Sequence, residues 1–375
     1  MNQEFNKIFN EILVKHSLNN SFVLGLSGGP DSITLLSLLM DFKLNNVNLK
    51  IKIYPVIIDH SIRPNSFIES EKTKKYSEQL GFQTKIKKIK LKAPISNLQN
   101  WARKHRRKIL ISEAKKKNSN LLLAHHSNDQ AETIFMRLNK SSGFVGLAGM
   151  KMVDDWQGTK IIRPLISFQK ELIIKYIQKR QLFYINDTSN NNLKFERVKT
   201  RKLLKKIDFE KKYLTTSSLI RLSKLSERLL SNSNLILKSW IEKNIIYYEH
   251  GSVSLVLHEF MILNNFGKEL SSLIFAKVLQ NVGGKIYAPN KSKLIRKIDL
   301  LITGKLKKFT LGNVLIYIKA DNIVFVRENR NLILNQIITS NCLHFFDGRF
   351  AVTSQYEGKL FLVNNFSFNL VEFND

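Results

Sequence analysis

A single cysteine, Cys342, stands in 375 residues. That excludes a disulfide framework, a cysteine-rich metal site and any Cys-x-x-Cys redox or sulfur-carrying pair. No apolar run approaches membrane-spanning length, and the first residues lack the basic, apolar and small-residue succession of a signal peptide. Glu4 and Glu11 also sit poorly with a transit peptide, so the sequence predicts a cytoplasmic protein with no membrane partner. Acid is scarce too: 30 Asp and Glu face 60 Lys and Arg, a formal charge of +30. A field of that sign recruits polyanions, nucleic acid first among them. The Lys, Asn and Ile enrichment that AT-rich coding brings is the other reading of the same excess. With 43% hydrophobic residues, the chain has enough apolar material for two or three domains with their own cores.

The most informative segment is Phe22-Val23-Leu24-Gly25-Leu26-Ser27-Gly28-Gly29-Pro30-Asp31-Ser32. An apolar run enters a small-residue turn, and Ile33 to Met40 continues as an apolar helix, so the pattern predicts strand, loop, helix. Gly28 and Gly29 let a ligand approach the backbone, and the first free N–H groups of the helix favour an anion there. The loop lacks the Gly-x-x-x-x-Gly-Lys-Ser/Thr pattern, hence its phosphate-binding lysine, and lacks the Gly-x-Gly-x-x-Gly dinucleotide fingerprint. It carries an acid instead, Asp31, with the hydroxyls of Ser27 and Ser32. An acid beside bound phosphates makes sense with a divalent cation between them. A tight turn in which Asp31 and Ser32 merely cap the helix is the alternative.

Along the chain, Phe5, Ile8, Phe9 and Ile12 mark an amphipathic N-terminal helix. A second strand over 51–58 ends at Asp59-His60. A helix near 67–80, a third strand near 84–89 and a basic helix over 96–117 follow. A fourth strand, Leu121 to Ala124, runs into His125-His126-Ser127-Asn128-Asp129-Gln130-Ala131-Glu132-Thr133. A fifth strand over 160–162 leads through Arg163-Pro164-Leu165 into a helix over 170–180. This alternation predicts an α/β fold with a doubly wound parallel sheet, whose ligands bind beyond the carboxyl ends of the strands. Asp31, Asp59, His60 and Asp129 all fall at such ends. His125 and His126 lack a third ligand at metal spacing and read as site-lining or core histidines. Residues 206–304 read as mainly helical with basic faces, and 305–375 as short β-hairpins, after an α/β domain over 1–205.

Ser27-Gly28-Gly29-Pro30-Asp31-Ser32 resembles the PP-loop of the N-type ATP pyrophosphatases, the adenine nucleotide alpha hydrolase-like superfamily. Asp59-His60-Ser61-Ile62-Arg63-Pro64, Ala102-Arg103-Lys104-His105-Arg106, the His125–Thr133 segment and Asn186-Asp187-Thr188-Ser189-Asn190, followed by Arg197 and Arg201, are similar in order and spacing to motifs of the lysidine synthetases within it. The resemblance implies an ATP-dependent ligase that adenylates the wobble cytidine of the CAU anticodon of tRNA(Ile). Free L-lysine then displaces AMP, leaving lysidine and changing the codon read from AUG to AUA. It also implies roles: ATP held by Ser27, Gly28, Gly29, Pro30, Asp31, Ser32 and Asp59, with Mg2+ on Asp31. Lysine would meet Asp129, Glu132 and Arg103, and tRNA would meet Arg197, Arg201 and Lys202. Asp31, Asp129, Arg106 and Arg197 would serve catalysis. Taken alone, Asp129 could be a helix N-terminal charge and the arginines a solvated helix face.

The chain departs from that pattern at Asn128, where the family has an acid, at Thr188 in place of proline, at Asn139-Lys140 and at Val198-Lys199. An amide at 128 passes any cation or lysine role to Asp129. A tRNA thiolase of the same superfamily is an alternative that usually needs cysteines near the site. An inactive basic RNA-binding relative is another, opposed by the intact Gly28, Gly29, Asp31 and Asp129. A homodimer is left open.

Overall fold

The computed structural model describes all residues except 61–64, 90, 92–93, 95–97, 157, 187–195, 211–214, 286, 331, 334, 341–342, 365–366 and 373–375. Parts of the expected motifs, Ser61 to Pro64 and Asp187 to Asn190, therefore lie outside the described residues, as does Cys342. The chain forms two compact units, Met1–Leu230 and Ser231–Asp375.

The first unit runs α1 (Asn2–Lys15), β1 (Ser21–Gly25), α2 (Pro30–Asn45), β2 (Lys52–Asp59), α3 (Ser66–Gln79), β3 (Lys85–Lys88), α4 (Leu98–Lys116), β4 (Asn120–Leu122) and α5 (Ser127–Leu138). It continues through α6 (Phe144–Leu147), β5 (Val153–Trp156), β6 (Thr159–Ile162), α7 (Lys170–Arg180), α8 (Glu196–Glu210) and the first turns of α9 (Thr216–Asn244). The sheet order is β3-β2-β1-β4-β6-β5. All neighbours are parallel except the β5–β6 pair. β5 was not anticipated; it is a four-residue edge strand with no alternation of buried and exposed residues, and it pairs back on β6.

Alternation along β1 shows the two-layer construction. Phe22 and Leu24 enter a core with α1 and α2 residues such as Phe9, Leu36 and Phe42, while Val23 enters a second core with Leu110, Ile111 and Ala114 of α4. Strands buried on both faces read as continuous apolar runs, as this one does. α2 is apolar almost all round, with Ile33, Leu35, Leu36, Leu38, Leu39 and Phe42 all buried, as a helix enclosed on several sides must be. Phe9 meets Phe42 edge-on at 4.9 Å between ring centres, pinning α1 to α2.

Strand order reverses at β1. From β1 the chain winds outward to β2 and β3, then returns through α4 to place β4 on β1's other side. The crevice beyond the carboxyl ends of β1 and β4 is the topological switch point, where doubly wound sheets bind ligands. The loops at that crevice carry Ser27 to Ser32 and His125 to Glu132.

The second unit begins within α9 and holds β7 (Ile245–Tyr247), β8 (Val253–Val256), α10 (Leu257–Phe266), α11 (Lys268–Gly283), α12 (Lys291–Ile302), β9 (Lys308–Leu311), β10 (Val314–Lys319) and β11 (Asn322–Arg327). An antiparallel sheet, β7-β8-β11-β10-β9, shares one core with these helices through Phe260, Phe275, Ile298, Ile316 and Phe325. β7 and β8 thus interrupt the stretch expected to be helical, because they complete the sheet started by the later hairpins. β12 (Asn335–Ile338), β13 (His344–Phe346), β14 (Phe350–Val352), β15 (Gly358–Asn364) and β16 (Ser367–Glu372) form smaller antiparallel sheets. Asp347, in the β13–β14 turn, is buried and takes Arg327 Nε at 3.0 Å and Arg349 Nε at 2.9 Å. Among the described residues, no helix is long and apolar enough to cross a membrane.

Candidate active site

Gly28 has φ +78°, a left-handed conformation that favours glycine, and a Cβ there would run into Thr73 Oγ1 of α3. Its carbonyl accepts the Ile185 N–H at 2.8 Å, so the turn is pinned from two directions. The serine hydroxyls brace the loop against itself. Ser27 N–H donates to Ser32 Oγ at 3.2 Å, and Ser32 Oγ donates to the Gly29 carbonyl at 3.0 Å. Gly29 is the N-cap of α2 and Pro30 opens the helix, where its missing N–H costs nothing. No side chain caps α2. Asp31 is therefore not a cap. It points to a different set of partners.

Those partners come from α7 and α5. Lys170 Nζ lies 2.5 Å from Asp31 Oδ1, and His126 Nε2 lies 3.7 Å from the same oxygen. Farther along, Ser37 meets the Tyr176 hydroxyl at 3.2 Å and Arg180 donates to Asp41 at 3.1 Å. Each of these pairs is separated by 139 residues, so α2 and α7 lie side by side, in the same direction and in register. Their N-termini open level with each other onto the crevice.

At the start of α5, His126 and Asp129 form a reciprocal cap. His126 Nδ1 accepts the Asp129 N–H at 3.3 Å, and Asp129 Oδ2 accepts the His126 N–H at 3.2 Å. Accepting at Nδ1 leaves the His126 proton on Nε2, which faces Asp129 Oδ2 at 3.5 Å and Asp31 at 3.7 Å. Burial pushes the Asp129 carboxyl up, but the His126 and His125 rings, Arg197 and the His126 N–H outweigh it and hold the carboxyl below its usual range. Asp129 is thus a buried carboxylate, charged at neutral pH. Asn128 Oδ1 accepts the Lys170 N–H at 2.9 Å, and Ser127 N–H donates to the Phe168 carbonyl at 2.9 Å, tying the start of α7 to the start of α5. The amide at 128 serves as a cap for α7, a role that needs an acceptor rather than a charge. Asn128→Ala is expected to cost about 1 kcal/mol in a denaturant melt, while Asn128→Asp stays within a few tenths of wild type.

Around Asp129 gathers an excess of cations. Burial and the mutual repulsion of Arg197, Arg106 and Arg107 push Arg103 down to about 10, and Arg106 is lowered by burial and by Arg197 and Arg107. Neither Arg103 nor Arg106 makes a hydrogen bond or ion pair among the described residues, so both are available to a bound anion. Arg163 donates to the Lys151 carbonyl at 2.8 Å, and its buried Nε lacks a partner. His125 is pushed down to about 3 by burial despite Asp129, and His60 to about 4 by burial and Arg106. Both stay neutral at physiological pH, and the buried Nδ1 of each has no hydrogen-bond partner among the described residues.

Glu132, expected to meet lysine, already holds two arginines. Its side chain is 2% exposed, with Arg201 Nε at 2.6 Å on one oxygen and Arg197 Nε at 3.3 Å on the other. An ammonium would have to displace a guanidinium to reach it. Arg197 and Arg201 lie one turn apart on α8, as the sequence suggested, and both converge on Glu132. Burial lowers the Arg201 pKa, and Glu132, Asp129 and Asp31 together raise it above its usual value. Asp59 is buried at the end of β2, and Lys202 is exposed on α8. Arg103, Arg106 and Arg197 therefore gather around Asp129, and His126 stands between that acid and Asp31. Lys170 is the residue that the sequence reading missed. Its signal was a lysine in the first turn of a helix, against the dipole, which marks a position held for another reason.

The chain matches the PP-loop domain over residues 1–207. It is 31% identical over 333 residues to the tRNA(Ile)-lysidine synthase of Wolbachia pipientis wMel, covering 86% of this chain and 73% of that protein. It is 28% identical over 363 residues to the tRNA(Ile)-lysidine synthase of the Wolbachia of Brugia malayi, covering 93% and 81%. Among solved structures, the U34-tRNA thiolase NcsA from Methanococcus maripaludis with its [4Fe-4S] cluster superposes with a TM-score of 0.50 at 19% identity, over 60% of this chain and 79% of that one. That likeness is one of fold.

Proposed function

Since this chain belongs to the tRNA(Ile)-lysidine synthase family, with a PP-loop domain over residues 1–207, we propose that it uses ATP to join free L-lysine to the wobble cytidine of the CAU anticodon of tRNA(Ile). The 2-carbonyl oxygen of the cytidine attacks the α-phosphorus, and the bond to the β-phosphate breaks to release pyrophosphate. The lysine amine then attacks C2, loses a proton and expels AMP, so a poor leaving oxygen has first become a good one. The observation that carries this reading is the pairing of two acids at one switch-point crevice, Asp31 at the glycine loop and Asp129 among arginines that have no ion-pair partner among the described residues.

The division of labour follows from the neighbours. Ser27, Gly28, Gly29, Pro30 and Ser32 shape the turn that receives the phosphates at the N-terminus of α2, with Asp59 bordering the adenosine. Asp31 is the carboxylate at that turn. Among the described residues there is no cluster of His, Cys, Asp and Glu that forms a metal site unaided, and a single carboxylate suits Mg2+, which takes one or two of them and completes its shell with phosphates and water. Bound there, the ion would neutralise charge on the phosphates as the bond to pyrophosphate breaks. Asp129, ionised and buried, receives the α-ammonium of lysine, and Arg103 or Arg106 receives its carboxylate. Arg197 and Arg201, set by Glu132, face the departing pyrophosphate or the tRNA backbone, and Lys202 extends that surface. The basic helices downstream suit phosphate contacts, which position an RNA without reading its sequence. We place the reaction in the cytoplasm, where tRNA and lysine are found together.

The test is direct. Purified protein, ATP and magnesium should release AMP and pyrophosphate only when both lysine and a CAU-anticodon isoleucine tRNA are present. Release indifferent to either substrate, or no release, would sink the proposal.

A further inference from the structure

The glycine loop has no lysine in its sequence, yet the fold brings one to it. We propose that Lys170 is the phosphate-binding lysine of this site. When nucleotide binds, its ammonium leaves Asp31 for a non-bridging oxygen of the β- or γ-phosphate, and the Asp31 carboxylate is freed for the cation. The inference rests on the ATP-binding role proposed above and deepens it.

Several independent observations carry it. Lys170 Nζ stands 2.5 Å from Asp31 Oδ1, in the first turn of α2, where a phosphate on that helix N-terminus would lie. The in-register packing of α2 and α7 sets two positive helix ends side by side at the crevice. A lysine at the first position of α7 adds a third positive charge there, which is unfavourable without an anion. Asp31 supplies that anion; a polyphosphate, with more charge and more acceptor oxygens, is a better one. The lysine is also built in rather than loose. Its N–H is held by Asn128 Oδ1 and the preceding Phe168, 1% exposed, is anchored in the core and bonded to Ser127. The elements that fix Lys170 are thus the ones that fix Asp129. The lysine substrate's carboxylate is a weaker candidate for this ammonium, because the unpaired Arg103 and Arg106 have Asp129 as their acidic neighbour.

The experiment compares wild type with Lys170→Met and Lys170→Arg by calorimetric titration with magnesium pyrophosphate and magnesium ATP, alongside KM for ATP and for lysine. Loss of one charge-assisted hydrogen bond predicts that Lys170→Met weakens pyrophosphate binding about 10- to 100-fold. Lys170→Arg should recover most of that, and KM for lysine should not move. A purely structural ion pair would lower the melting temperature of Lys170→Met and leave pyrophosphate affinity intact, which overturns the proposal. A rise in the lysine KM alone overturns it too. If wild type binds ATP and Lys170→Met binds it equally well, only this inference fails. If wild type binds neither ATP nor pyrophosphate, the ATP reading itself fails and takes Lys170 with it.

Discussion

Asp31→Ala is expected to reduce AMP formation by on the order of 10³-fold, the loss typical when one fixed charge is removed from the group that stabilises a transition state. tRNA affinity should stay within about twofold, since a chain carrying +30 draws RNA through many phosphate contacts spread over its surface. The fold should survive, because Asp31 is 30% exposed and caps nothing. Two effects combine in the lost turnover. The carboxylate that would hold the cation is gone, and Lys170 loses the anion that orients it before substrate arrives. Asp31→Asn separates them, keeping the shape without the charge. If charge is what matters, Asp31→Asn should be nearly as inactive as Asp31→Ala. AMP by chromatography and tRNA by filter binding make the measurement. Near-normal turnover in either variant would show that Asp31 does not hold the cation.

The loop itself was fully legible, because two glycines, a proline and an acid at one strand-to-helix turn leave the backbone few options. The parallel sheet was legible as well, from strands buried on both faces and helices between them. What the sequence could not show was partnership across 139 residues. Nothing in Phe168-Gln169-Lys170 announces a site, and the lysine becomes visible only when α7 lies along α2. Glu132 shows the same limit from the other side. Its spacing from Asp129 suggested two acids facing one ligand, but a helix turn also brings Glu132 under α8, and Arg197 and Arg201 reach it first. β7 and β8 were hidden for another reason: strands this short, beside long helical stretches, carry too few residues for a period of two to register.

Glu132 supplies the second large effect, and its sign tells the two readings apart. A carboxylate 2% exposed between two guanidiniums cannot lose its charge without leaving Arg197 beside Arg103 and Arg106 with Asp129 as the nearest remaining acid. Breaking a buried pair by removing one partner costs about 3–5 kcal/mol. Arg201 is 38% exposed and can turn to water, so the lower end applies, about 3 kcal/mol for Glu132→Gln. In a unit of this size that lowers the melting temperature by about 8 °C. The released arginines should also lose their aim, so kcat falls by on the order of 10-fold or more while the KM for lysine stays near wild type, as for a group acting only as the reaction proceeds. A residue that bound the lysine ammonium would behave otherwise. It would raise the lysine KM steeply and leave the melting temperature almost unchanged, since its charge would serve the substrate and not Arg197 and Arg201. Thermal melts of the wild type and Glu132→Gln, with lysine titrations on both, choose between the positioning role that the arginine contacts give Glu132 and the binding role that its spacing from Asp129 suggested.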